Sequence, residues 1–141
     1  MRRLLVIGLL AAVAAPTAAG ADRGTVIVRG SAYGRVIFDG KGFALYAFTK
    51  DPRGGKSRCY DACAKAWPPY IVKSKPRAAT GVRKSLLGTT RRADGRLQAT
   101  YAGRPLYYYV GDTKAGRILC QNVREFGGLW LVVRPSGKLV R

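Results

Sequence analysis

Histidine is absent from this chain, and its only methionine is Met1. The first absence removes imidazole as general base, proton shuttle or metal ligand. The second removes thioether ligands for a soft metal from any processed form. Acids are scarce too: 7 Asp and Glu stand against 26 Lys and Arg, a formal charge of +19 in 141 residues. Such an excess favours anionic partners and says nothing about fold. No apolar run is long enough to cross a bilayer comfortably, which takes about 20 residues. Neither a nucleophile with its base nor a metal cluster can be read from the chain. The expectation is therefore no enzyme, no catalytic residue, no metal site and no cofactor.

What is present begins with a leader. Arg2 and Arg3 precede an apolar run from Leu4 to Ala15, and Ala19-Gly20-Ala21 offers small residues for cleavage. This is the pattern of a secretory signal peptide over residues 1–21. The remainder, 22–141, is long enough for one domain with a modest core. No cysteine stands beside the cleavage site, so the reading is a periplasmic or secreted protein with no lipid anchor and no transmembrane segment after processing.

The chain writes one phrase twice. Leu45, Tyr46, Phe48, Asp51, Gly55 and Cys59 recur at a constant offset as Leu106, Tyr107, Tyr109, Asp112, Gly116 and Cys120, and Gly42 recurs as Gly103. Beyond the cysteine a two-residue shift brings Trp67 opposite Trp130. Internal similarity of this kind means one structural unit used twice, each copy covering the face the other exposes. Copy one spans about 34–72 and copy two about 97–138, with a basic connector at 73–96.

Within the copies the local signals are those of strands. "TVIVRG", "RVIF", "FALYAF", "LQATY", "PLYYYV" and "LWLVV" are short, rich in β-branched and aromatic residues, and bounded by glycine turns at Asp39-Gly40, Asp94-Gly95 and Ser136-Gly137. "FALYAF" sends Phe43, Leu45 and Ala47 to one side and Ala44, Tyr46 and Phe48 to the other, as a central strand would. The exception is "SRCYDACAKAWPP", where alanines favour about two turns of helix, Ser57 could cap it, and Pro68-Pro69 would end it. The fold class is thus mainly β: a single domain of two pseudo-symmetric repeats with a short helical turn at the C-x-x-x-C segment.

Three cysteines leave one unpaired in any single chain. One helical turn would separate the α carbons of Cys59 and Cys63 by about 6 Å, near the upper end of the disulfide range. Chain entropy favours the long Cys59–Cys120 closure, about 4 against about 2 kcal/mol, so geometry has to decide. The reading adopted is a structural Cys59–Cys63 disulfide with Cys120 buried or free. A Cys59–Cys120 bridge, a dithiol redox site and a Cu(I) site are the alternatives.

Candidate contact residues fall in two groups. Lys73, Lys75, Arg77, Arg91 and Arg92 form a basic strip in the connector, suited to an anionic cell-envelope polymer. No aromatic residue interrupts that strip, so a platform for stacking nucleic-acid bases is not expected. Tyr107 and Tyr109 alternate with Tyr108 along a strand, and tyrosines on an open face suit glycans. Trp67 and Trp130 read as core plugs. Asp51 and Asp112, each ahead of a glycine, read as loop-stabilising Asx residues. Nothing in the sequence sets the oligomeric state.

With "LYAFTKD", "SRCYDACAKAWPP", "LLGTTRRADGRLQATYAGRPLYYY" and "FGGLWLVV" assembled, the chain resembles the bacterial "secreted repeat of unknown function" family over most of Val36 to Lys138. The resemblance implies an extracytoplasmic location and tandem architecture rather than a mechanism. The functional expectation is a non-enzymatic envelope protein binding an anionic or glycan partner. The alternative is a thiol redox or copper-handling protein using Cys59 and Cys63.

Overall fold

The computed structural model describes residues 23–141, so the expected signal peptide lies outside the described residues. Among the described residues no helix is long and apolar enough to cross a membrane. The chain folds mainly as β structure. Strands β1 (Thr25–Ser31) and β2 (Gly34–Asp39) form an antiparallel hairpin, and β3 is Tyr46–Phe48. One helix, α1 (Ala62–Ala66), precedes β4 (Ile71–Val72) and β5 (Arg77–Ala78). A 3₁₀ turn at Lys84–Leu86 leads into the second hairpin, β6 (Leu87–Arg91) with β7 (Leu97–Tyr101). Strands β8 (Arg104–Pro105), β9 (Val123–Glu125) and β10 (Gly128–Val132) follow. They assemble into three small sheets, ordered β2-β1-β5, β3-β10-β9 and β4-β7-β6, with β8 also paired to β7.

Alternation along the strands sorts apolar side chains into two cores. Val36, Phe38, Ala44, Tyr46 and Phe48 enter one, while Ile37, Leu45 and Ala47 enter the other. Both faces of "FALYAF" are therefore covered, as its sequence implies.

The two copies exchange partners. Tyr46 N–H donates to the Tyr107 carbonyl at 2.8 Å and Tyr107 N–H returns the bond to Tyr46 at 2.9 Å, so an approximate twofold runs between equivalent residues. Neighbouring bonds repeat across it. Thr49 N–H reaches the Leu129 carbonyl at 2.9 Å and Val110 N–H the Ala66 carbonyl at 3.0 Å. Gly54 N–H reaches Gly103 at 2.7 Å and, one residue out of register, Gly116 N–H reaches Gly42 at 2.8 Å. The apolar strand after each tryptophan also lies on the other copy: β10 pairs with β3, and β4 pairs with β7. Neither copy could close its own ladder, which is the physical reason the phrase is written twice.

Four expectations are corrected here. "PLYYYV" is not a regular strand, since Tyr107 makes only single bridges to Tyr46 and Pro69. Pro68 and Pro69 have no N–H to donate, so the ladder that β3 builds on Leu131 and Val132 cannot extend in the other copy. Likewise "FALYAF" is regular only over Tyr46–Phe48, with Ala44 bridged to Phe38. Ser57 does not cap α1: the helix starts after Asp61, whose backbone has φ 54° and whose side chain makes no capping bond, while Ser57 is drawn inside. Finally, segment 73–96 leads into the β6–β7 hairpin as read but is more than a connector, because β5 within it pairs in parallel with β1.

Candidate functional site

The recurring tyrosines, aspartates and tryptophans meet at the twofold. Tyr46 Oη donates to Asp112 Oδ2 at 2.6 Å, and Tyr107 Oη donates to Asp51 Oδ2 at 2.5 Å, each bond crossing between copies. The second carboxylate oxygens hold the loops: Arg58 N–H reaches Asp51 Oδ1 at 2.7 Å and Leu119 N–H reaches Asp112 Oδ1 at 2.9 Å. The Asx-turn expectation is corrected: each carboxylate does hold a backbone amide, but one seven residues along the chain, so it ties a long loop and closes no tight turn. Trp67 and Trp130 stack face to face, centroids 4.1 Å apart with 5° between planes. Phe48 continues the stack beyond Trp130 and Tyr109 beyond Trp67. Both indoles are fully buried, so these are core plugs as read. Trp67 Nε1 donates to Glu125 Oε2 and Trp130 Nε1 to the Glu125 carbonyl.

This arrangement corrects two candidate contact residues. Tyr107 is fully buried and cannot face a glycan; its hydroxyl also lies 2.6 Å from Ser57 Oγ. Arg92 is 3% exposed rather than part of a surface strip. Its guanidinium donates to Ser57 Oγ, Gln98 Oε1 and the Cys59 carbonyl, and lies over the Tyr60 ring at 4.3 Å. The reason lies in register. Thr90 pairs with Gln98 and Arg91 with Leu97, which leaves Arg92 at the turn beside the cysteine loop, where carbonyl and hydroxyl acceptors are already gathered. Burial raises the carboxyl of Asp51 above the ordinary 3.8, opposed by its bonds from Tyr107 and Arg58 and by the charge of Arg92. Asp112 is raised for the same first cause. Burial also raises the phenols of Tyr46 and Tyr107, so both remain donors.

Cys59 and Cys63 form the disulfide, with α carbons 5.2 Å apart and both residues buried. Copy two has Arg124 where copy one has Cys63, so Cys120 remains a free, half-buried thiol. Burial pushes that thiol above its ordinary 9.0 while a hydrogen bond with the Tyr109 hydroxyl pulls the other way. Asp61 and Asn122, matched after the two equivalent cysteines, share a positive φ, at 54° and 61°. The local turn thus survives where the disulfide does not. Thiol titration of the native protein should find one group, reacting slowly at neutral pH and faster as pH rises through the thiol range. Two or three rapidly reacting thiols would contradict the buried bridge. Among the described residues no group of three or more cysteine, aspartate or glutamate side chains converges as a metal site would.

The remaining surface is basic and short of counterions. Asp39, Asp51, Asp112 and Glu125 accept from phenols, indoles and backbone amides, not from surface cations. Between described residues the salt bridge that forms is Arg96–Asp94, at 2.7 Å. Lys75 and Arg77 do meet in space, joined by Arg23 and Lys84 around a shallow cleft of about 220 Å³. Lys73 is exposed near them in sequence, whereas Arg91 is exposed on the other hairpin, its Nη1 on the Gly95 carbonyl. Tyr109 is half-buried against Trp67. A second cleft, of about 540 Å³, was not apparent from the sequence: Arg53, Arg104, Lys138 and Arg141 line it over Leu86, Ala102 and Leu139. Its cations come from three segments far apart in sequence and share no motif.

A family model described as "secreted repeat of unknown function" matches residues 27–70 and 88–134. Each match takes in one hairpin, one aromatic segment and one tryptophan. No curated protein and no solved structure matches the chain.

Proposed function

This chain belongs to the family of secreted repeats of unknown function, and on that premise we propose that it is a non-enzymatic protein of the cell envelope that binds an anionic polymer. The observation that supports this is the division of charge: Asp51, Asp112 and Glu125 accept from interior phenols and an indole, and among the described residues the exposed arginines and lysines far outnumber the exposed acids. A compact, disulfide-stapled body with cations on several of its edges suits an extended polyanion better than a single small ligand. Attraction of this kind is sequence-independent and screened by salt. The Cys59–Cys63 bond, buried on both sides, serves the fold in this reading.

Retention on immobilised dextran sulfate tests it, with neutral dextran as control. Affinity should fall by at least about tenfold between about 50 and 200 mM salt, as release of counterions from several contacts requires. Equal retention on neutral dextran, or affinity indifferent to salt, would overturn the reading.

A further inference from the structure

We infer that the cleft between the loop after β3 and the β7–β8 turn is a seat for a phosphate group carried on an extended polymer. The inference rests on the polyanion reading above and gives it a place and a chemistry. Four cations from three segments line the cleft: Arg53, Arg104, and Lys138 with Arg141. No acid lines it, and its floor is Leu86, Ala102 and Leu139.

Arg53 is held rather than merely near. Gly54 N–H bonds the Gly103 carbonyl at 2.7 Å, and Arg53 Nε donates to the Ala102 carbonyl at 3.3 Å, so loop and turn are tied on either side of the cleft. Gly103 has φ 76°, and a Cβ there would stand 3.0 Å from Gly54 N, so this close approach needs glycine. Arg104 is half-buried on β8, and its guanidinium is depressed below the ordinary 12.5 first by burial, then by the charges of Arg53 and Arg141. Cations that weaken one another in a pocket without acids gain most from an oxyanion between them. Guanidinium forks match the geometry of phosphate oxygens, and several can share one group.

The pseudo-twofold supplies an internal comparison. At the equivalent corner Gly116 N–H bonds Gly42, yet Phe43 stands where Arg104 does, and Arg29 lies over the Phe38 ring at 5.4 Å. The shared backbone contact therefore does not require arginine at Arg104. Packing symmetry leaves that residue unexplained, and a ligand explains it.

The test measures binding of polyphosphate and of inorganic phosphate by titration calorimetry. The Arg53→Gln/Arg104→Gln variant is set against Lys75→Gln/Arg77→Gln, which removes the same charge at the other cleft. Polyphosphate affinity should fall by at least about tenfold in the first and only about two- to threefold in the second, whose cations lie outside the seat and act through the general field alone. Inorganic phosphate should compete for the wild-type cleft. Arg141→Gln, at an exposed side chain of the cleft, should weaken binding several-fold even if the double variant folds poorly. Equal losses in both double variants, or no competition by phosphate, would overturn the cleft while leaving the polyanion reading in place. Wild-type protein that bound neither polyphosphate nor dextran sulfate would overturn both.

Discussion

Trp67→Ala should destabilise the fold by about 3–5 kcal/mol, the range for removing a large buried aromatic residue. The indole is fully buried, stacked at 4.1 Å on Trp130, tilted against Tyr109 at 4.8 Å and edge-on to Tyr46 at 5.2 Å. Truncation opens a cavity at the meeting of the two copies and leaves Glu125 Oε2 without its indole donor. A small domain holds only about 5–15 kcal/mol in all, so the variant should be on the edge of folding. Trp130→Ala should cost a similar amount, and the two effects should be far from additive, because the rings contact each other. Urea unfolding followed by circular dichroism measures this. A loss under about 1 kcal/mol for Trp67→Ala would mean that the stack does not hold the halves together.

Asp51→Ala should cost about 2–3 kcal/mol, from the lost acceptor for Arg58 N–H and the lost charge beside Arg92, since Tyr107 Oη keeps Ser57 Oγ within reach. It should exceed the loss in Asp112→Ala, although the two sites are equivalent by the repeat. Only the Asp51 side holds a buried cation: Arg92 bonds the same Ser57 that Tyr107 contacts, and the Asp51 charge offsets its own. Equal losses would show that Arg92 is balanced by its carbonyl and amide acceptors alone. A pH series adds a second readout. The Asp51 carboxyl in the folded protein lies above 3.8, so the native state keeps a proton that the unfolded chain has released. Its contribution is fully present below 3.8 and is lost as pH rises through the elevated value. Relative to Asp51→Asn, the wild type should therefore gain stability on acidification through that window. A wild type that loses stability relative to the variant over the same range would show that its bonds, not its burial, govern the group.

Some of this could be read directly from residues. The recurrence of Tyr46, Asp51 and Cys59 as Tyr107, Asp112 and Cys120 announces two copies, and alternation in "FALYAF" announces a strand covered on both faces, because period and spacing are properties of the chain alone. Two cysteines four residues apart similarly allow the short disulfide, although Cys59 lies before α1 rather than one helical turn from Cys63. The contact surface was less legible. Arg92 sits in the most basic stretch yet is buried, whereas Arg53 and Arg104, far apart in sequence, share a cleft. Charge density along a chain does not report which acceptors lie on the neighbouring strand.

The sequence by itself determined the mainly β character, the duplication, and an excess of cations too large for its acids to neutralise. Only the tertiary structure decided that each copy completes the other's ladders and that each tyrosine bonds the other copy's aspartate. Hydrogen bonds across a twofold depend on where the axis runs, and that is set by packing at Tyr46, Tyr107 and the tryptophan stack, not by any local preference.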